Sequence, residues 1–290
     1  MTLATKPLSN RIAIAFDFDD TLVPDTVDSL LERCGLDSQR FRSERIQPLI
    51  DNGWDAIPAR FYSLIEESKR RDSADKITKD YLTKFGQELP PFDGVPEMFE
   101  RLRQRAYKLN PEVEIEFYLI TCGMVEVARH TCIADNFKSM WGCEFHYTCE
   151  GEIEFLKKIV THTEKTRYLF QIAKGIDQSN EDGRTFIYRD VPPEELHVPL
   201  TQVIYVGDGA SDIPCFSLLN EEKGVAIGVY KGSTVQDWNR EVKLSASQRV
   251  ANIAEADYRE DSELMRSLTL AVESMCKQIS LAQFRGRQAP

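Results

Sequence analysis

Across its 290 residues the chain has no apolar run approaching the roughly 18 residues needed to cross a bilayer. Between Met1 and Arg11 no apolar stretch separates a basic head from a small-residue cleavage site, so a cytoplasmic rather than a secreted protein is expected. The seven cysteines are an odd number without a C-x-x-C pair, which points to reduced thiols and away from a disulfide framework. Basic residues are in deficit, 36 Lys+Arg against 47 Asp+Glu for a formal charge of −11. Surfaces that grip nucleic acid or anionic membranes need the opposite surplus, so neither is an expected partner. Internal repeats and low-complexity tracts are absent too. What is left, with 42% hydrophobic and 29% charged residues, has the mix of an ordinary globular protein of one large domain or two modest ones.

One cysteine cluster invites a metal reading. Cys143, His146 and Cys149 fall three apart, but a structural zinc needs a fourth ligand, and no second Cys/His pair follows. Gly142–Thr148 also reads as a strand, on which residues three apart face opposite sides. Packing is the expected role.

The rest of the chain alternates. Arg11–Phe16 is a short, nearly continuous apolar run, as in a strand buried on both faces of a parallel sheet. Glu114–Ile120 and Gln202–Val206 read the same way, with weaker strands at Lys158–Thr161 and Gly224–Val229. Helical faces lie between them, one through Val95, Met98, Phe99 and Leu102, another through Tyr168, Leu169, Ile172 and Ala173. The tail Ser262–Phe284 reads as a helix that packs on the core or contributes to a dimer, leaving monomer and homodimer both open. Alternating strands and helices predict an α/β fold with a parallel sheet. Residues 25–90 break the pattern with four amphipathic segments, Thr26–Leu36, Gln39–Ile50, Pro58–Arg71 and Ala74–Leu89, and no strand. Pro90-Pro91 and Asp93-Gly94 then return the chain to alternation. The expected division is a core of 1–24 and 91–290 with a helical, lid-like domain at 25–90. The polar link Ile176–Leu200 joins a helix end to a strand start, so it is expected on the opposite face, as a small hairpin without chemistry.

Four local patterns carry chemistry. Asp17-Phe-Asp-Asp-Thr-Leu22 follows the first buried strand, so its carboxylates leave a strand end where ligands of open α/β sheets bind. A calcium loop is excluded because its sixth position is Leu22 rather than Gly. Ile204-Tyr-Val-Gly-Asp-Gly-Ala-Ser-Asp212 is a second strand ending in acid, with Gly207 and Gly209 allowing close backbone approach to a ligand. It is neither a P-loop nor a G-x-G-x-x-G turn. Leu119-Ile-Thr-Cys-Gly123 ends a strand in a hydroxyl, with exposed amides expected at a following helix start. Lys165 opens another helix in Thr163-Glu-Lys-Thr-Arg167. Lys174 lies at the far end of that helix, about 13 Å away, and is expected to point elsewhere.

In this order Asp17/Asp19/Thr21, Thr121, Lys165 and Asp208/Asp212 resemble the signature of the haloacid dehalogenase (HAD) superfamily: D-x-D-x-T, a Ser/Thr strand end, a Lys and G-D-x-x-x-D. The layout most resembles the phosphoserine-phosphatase-like group. The resemblance implies a Rossmann-like core with an inserted helical cap, and a Mg²⁺-dependent phosphatase acting on a small phosphorylated metabolite. Asp17 is then the nucleophile that forms an aspartyl-phosphate, and Asp19 the general acid and base. Mg²⁺ is held by Asp17, Asp208 and the Asp19 backbone carbonyl, while Asp212 holds a metal-bound water or orients Lys165. Thr121, Cys122, Gly123 and Lys165 bind the phosphoryl oxygens. Cys122 has no His partner and is not expected to be a nucleophile, and Asp20 is left outside the catalytic set. Phosphoserine phosphatases typically carry a Glu shortly after the first motif to meet the substrate amine. This chain has Asp25 and Thr26 there, a departure that counts against phosphoserine itself as substrate while leaving Asp25 as a contact for another polar substrate. A phosphomutase or phosphotransferase would share these residues. A phospho-sensing scaffold would not need the acid at Asp19. Residues 25–90 hold 11 Lys+Arg and 13 Asp+Glu, so attraction of a phosphate falls to Mg²⁺, Lys165, helix amides and single residues of Arg40-Phe-Arg-Ser-Glu-Arg45.

Overall fold

The computed structural model describes residues 9–177, 187, 189–231 and 249–287. Its framework is a seven-stranded sheet in the order β4-β3-β2-β1-β5-β6-β7. The strands are β1 Arg11–Phe16, β2 Glu114–Met124, β3 Phe137–Tyr147, β4 Ile153–Lys158, β5 Val203–Gly207, β6 Val225–Tyr230 and β7 Asn252–Glu255. All pairs are parallel except β3 with β4. The apolar run at Ile12–Phe16 is fully buried because β1 sits at the centre, with Phe16 level with Leu119 on β2 and Val206 on β5. The α/β fold with a largely parallel sheet expected from the alternation is therefore present.

The helices are α1 Thr26–Arg33, α2 Ser38–Phe41, α3 Gln47–Asp51, α4 Ala56–Arg70, α5 Lys79–Glu88, α6 Val95–Leu109, α7 Val125–Ala128, α8 Glu164–Lys174, α9 Ile213–Glu222 and α10 Glu263–Arg287. Helix α6 packs with α10, and α8 with α9, so the central strands are covered as a parallel sheet requires. The buried residues of α10 include Leu264, Leu268, Val272 and Met275, so that face of the tail is inside the monomer. No helix among the described residues is long and apolar enough to cross a membrane.

Every described helix from α1 to α5 falls between β1 and β2, as the break in alternation predicts. Two of these helices differ from expectation. Gln39–Ile50 is not one helix: Arg42–Ile46 forms a π turn in which Gln47 N–H reaches back to Arg42 O. Pro48 lacks the amide that a regular α-helix would need there. The segment expected from Ala74 turns helical only at Lys79, because Ile77 N–H bonds Ser68 Oγ at 2.9 Å and the Thr78 side chain caps Tyr81 N–H.

Two strands also shift. The weak strand expected at Lys158–Thr161 is instead Ile153–Lys158, the returning arm of a β3–β4 hairpin. β7 was not expected; it is four residues long, and only Ala254 is fully buried, too little for a pattern. Cys143 is buried while His146 and Cys149 are exposed, and all seven cysteines are free. His146 stacks on Phe155, so packing accounts for the cluster. Most of the hairpin expected within Ile176–Leu200 lies outside the described residues. Its later part returns to the core through buried Val198, whose N–H bonds Ala173 O at 3.3 Å.

Candidate active site

Adjacent parallel strands β1 and β5 both run into aspartate, Asp17 and Asp208. Asp17 N–H extends the sheet pairing by bonding Val206 O at 2.9 Å, which brings the side chain to the carboxyl edge of the sheet. Its Oδ1 accepts the Phe18 N–H at 2.7 Å, and its Oδ2 lies 2.7 Å from Lys165 Nζ. Lys165 comes from the first turn of α8 and is fully buried. Its ammonium also reaches Asp212 Oδ1 at 2.7 Å and Ser211 Oγ at 3.2 Å. A buried ammonium is tolerated because it is shared by two carboxylates. Burial opposes its charge, but Asp17 and Asp212 hold it protonated well above the ordinary lysine range.

Asp208 is pushed well above the ordinary carboxylate range by burial, with Asp17 and Asp212 adding to the shift. Burial likewise lifts Asp17 to about 7 against the pull of Lys165. Three carboxylates beside one lysine are short of positive charge. One oxygen each from Asp17, Asp208 and Asp212 lies within 4.8 Å of the others, the one such group among the described residues. An all-oxygen donor set in need of a cation fits Mg²⁺ rather than zinc. Both oxygens of Asp212 already accept protein donors, Lys165 and Tyr205 on Oδ1 and Gly209 N–H on Oδ2. The Asp19 side chain stands outside the group.

Asp19 is fastened from the other side. Its Oδ1 accepts the Thr26 N–H of α1 at 2.7 Å, and the Thr121 hydroxyl approaches Oδ2 at 3.5 Å. Burial and the nearby Asp25 charge raise its carboxyl to about 6, while Arg60 opposes them. Gly123 lies beside it because only a glycine fits: a Cβ there would stand 2.0 Å from Asp19 Oδ2. β2 runs on to Met124, so the helix start expected at Gly123 is displaced to Val125, where α7 is only four residues long. The Gly123 N–H is committed to Thr121 Oγ1 at 2.8 Å. Burial pushes the Cys122 thiol up to about 12, which removes it as a nucleophile.

The glycine of the β5 end has a different use from the expected one. A Cβ on Gly207 would lie 2.4 Å from the Asp212 carboxylate, so Gly207 makes room for that side chain rather than for a ligand. Lys174 is excluded from the site, as expected, for its ammonium bonds Ile187 O at 2.6 Å and Arg189 O at 2.7 Å.

Several residues were not visible in the sequence as parts of the site. Arg60 of α4 and Arg42 both pair with Asp25 Oδ2, and Asp25 Oδ1 caps α1 by accepting from Val27 and Asp28 N–H at 2.9 Å. Those arginines hold the Asp25 carboxyl below its usual range despite burial. Asp25 is thus fully engaged by its own helix and two cations, whereas the Nε of Arg60 is buried without a protein partner. Asp20 adopts a left-handed backbone, φ 51°, and its Oδ1 accepts from Asp25 N–H and Lys231 Nζ, each at 3.1 Å. Asp20 and Asp25 stand beside the first motif in the sequence, and of the two arginines only Arg42 falls in a segment singled out there, Arg40-Phe-Arg-Ser-Glu-Arg45.

No protein-family model matches the chain. An uncharacterized protein of Borreliella burgdorferi is 29% identical over 281 residues, spanning 88% of this chain and 94% of its own. Among solved structures, a HAD family hydrolase from Salmonella enterica serovar Typhi is similar with a TM-score of 0.57 at 14% identity, over 92% of this chain and 73% of its own. A phosphoserine phosphatase bearing an analogue of its phospho-aspartyl intermediate gives a TM-score of 0.52 at 16% identity, over 90% of this chain and 98% of its own. Identities this low speak for fold alone. The chain has the fold of the HAD superfamily, in the form found in phosphoserine phosphatases.

Proposed function

We propose that the protein is a Mg²⁺-dependent phosphatase that hydrolyses a small phosphate monoester through an aspartyl-phosphate on Asp17. One observation carries this reading: buried Lys165 is shared by Asp17 and Asp212 at 2.7 Å each, with the Asp19 carboxyl near enough to Asp17 to help raise it. Asp17 attacks phosphorus and the ester oxygen leaves. Lys165 orients the attacking carboxylate and offsets charge on the phosphoryl oxygens. With its carboxyl raised to about 6, Asp19 can hold the proton that the leaving oxygen takes. It then accepts one from the water that cleaves the acyl-phosphate. Asp17 and Asp208 would hold the Mg²⁺, with the Asp19 carbonyl, and the ion neutralises negative charge shared with the phosphate. The Thr121 hydroxyl, with the Cys122 and Gly123 backbone, lines the phosphoryl side, and its present bonds to Asp19 and Gly123 would be exchanged for phosphate oxygens.

Residues 25–90 serve in this reading as a cap that excludes bulk water and large substrates. Because Asp25 is spoken for, it is not offered to a substrate amine. The unpartnered Nε of Arg60 instead favours a substrate with a second acidic group. The test is a screen of phosphorylated metabolites for phosphate release, run with Mg²⁺ and after chelation, on wild type and Asp17→Asn. We expect metal-dependent release that falls at least about a thousandfold in Asp17→Asn. Turnover that survives chelation or that substitution would end the reading, and isomerised phosphosugar without free phosphate would make the protein a phosphotransferase instead.

A further inference from the structure

Tyr205 stands in the middle of β5, where its neighbours across the sheet are Ala15 of β1 and Ala226 of β6. Two alanines leave space for a ring on a strand otherwise built from Val203, Ile204, Val206 and Gly207. The ring is fully buried, edge-on to Phe216 at 5.9 Å. Phenylalanine would fill the same volume, so packing alone does not call for the hydroxyl, and a buried hydroxyl without a partner is costly. The partner is Asp212 Oδ1 at 2.6 Å, the same oxygen that receives Lys165 Nζ at 2.7 Å. Asp212 Oδ2 takes the Gly209 N–H at 3.2 Å. Three donors on two oxygens fix the plane of this carboxylate, whereas two would leave it free to turn toward Lys165.

We propose that Tyr205 is a positioning residue whose hydroxyl locks the Asp212 carboxylate so that the Lys165 ammonium is delivered onto Asp17. The proposal rests on the phosphatase reading of Asp17. Preorganisation is the physical basis: Lys165 has a flexible four-carbon stem, and its aim in a buried site depends on the acceptors that hold it. The Ser211 contact at 3.2 Å is longer than either carboxylate contact and cannot replace them.

The experiment compares full-length wild type with Tyr205→Phe, by steady-state phosphate release with Mg²⁺, by thermal unfolding and by crystal structure. A hydrogen bond to a charged group is among the stronger ones, so its loss should lower kcat about tenfold or more. KM should stay within about twofold and the variant should remain folded at the assay temperature. A purely structural tyrosine would lower the melting temperature without dividing kcat from KM in this way. In the crystal the Asp212 carboxylate should be turned and the Lys165–Asp17 contact lengthened. A kcat within twofold of wild type overturns the proposal, as does a variant structure that keeps Lys165 at 2.7 Å from both carboxylates. Should wild type itself release no phosphate from any ester, the phosphatase reading fails, and the crystal comparison alone then decides the positioning role.

Discussion

A methyl group on residue 123 would stand 2.0 Å from Asp19 Oδ2, closer than any two such atoms can come. Gly123→Ala must therefore swing the Asp19 carboxyl away from Thr26 or push β2 back. We expect phosphate release to drop about a hundredfold, equivalent to about 3 kcal/mol, with circular dichroism unchanged. Activity within threefold of wild type would mean that the orientation of Asp19 is unimportant. At this scale the short-range patterns were legible: Asp17 and Asp19 leave one strand end, Asp208 and Asp212 another, and Lys165 opens a helix. Arg60 and Tyr205 were not legible. Arg60 is one of 11 basic residues in its segment, and Tyr205 reads as one more apolar strand position. Only the fold brings Arg60 to Asp25 and Tyr205 to Asp212.

Between elements, the inserted helices are tied to the sheet at more than their two chain ends. The β3–β4 hairpin reaches up to them: Lys79 N–H bonds Gly151 O at 2.8 Å and Ile153 N–H bonds Ile77 O at 3.2 Å. Lys76 pairs with Glu152 at 2.7 Å, and the Phe61 and Phe145 rings meet edge-on at 5.4 Å. Phe145 is almost completely buried, so Phe145→Ala should cost about 3–5 kcal/mol. Part of that loss should be local. Amide exchange in α4 and α5 should accelerate more than in β1 and β5, and equal acceleration everywhere would show that the hairpin is no clamp. The helical character of this stretch was legible because helical periodicity runs unbroken by a strand. The clamp was not, since Phe61 and Phe145 are far apart in sequence and nothing local links them.

Across the whole molecule, the end of the sheet remote from the site is held by a second buried charge. Glu116, near the start of β2, accepts bonds from Tyr118, Lys138 and His197, the last at 2.8 Å, while Arg11 lies 3.6 Å away. Burial opposes its ionisation, but the bonds from His197, Lys138 and Tyr118 prevail and lower its carboxyl from 4.5 to about 2. A depressed carboxyl contributes stability above its unfolded value and loses it as pH falls through the folded one. Glu116→Gln should thus cost about 2 kcal/mol at neutral pH, allowing for solvent screening at the half-exposed Arg11 and Lys138. The gap between the two proteins in denaturant titrations should shrink between pH 4.5 and pH 2. A gap that stays constant over that window would assign the loss to packing.

The deficit of basic residues belongs to this scale as well. A net charge of −11 describes the surface as a whole, whereas the site's field comes from three carboxylates and one buried lysine. By itself the sequence determined what propagates along the chain. Apolar runs define buried strands, helical periodicity marks the helices between β1 and β2, and acids at two strand ends put carboxylates at the edge of the sheet. Tertiary structure alone decided which of those groups come together, because that depends on distances between residues far apart in the chain. Lys165 meets Asp17 and Asp212 only after β1 and β5 have paired and α8 has packed beside α9. The same closure commits Asp25 to two arginines and Asp212 to Tyr205, since a buried charge or hydroxyl without a partner is costly.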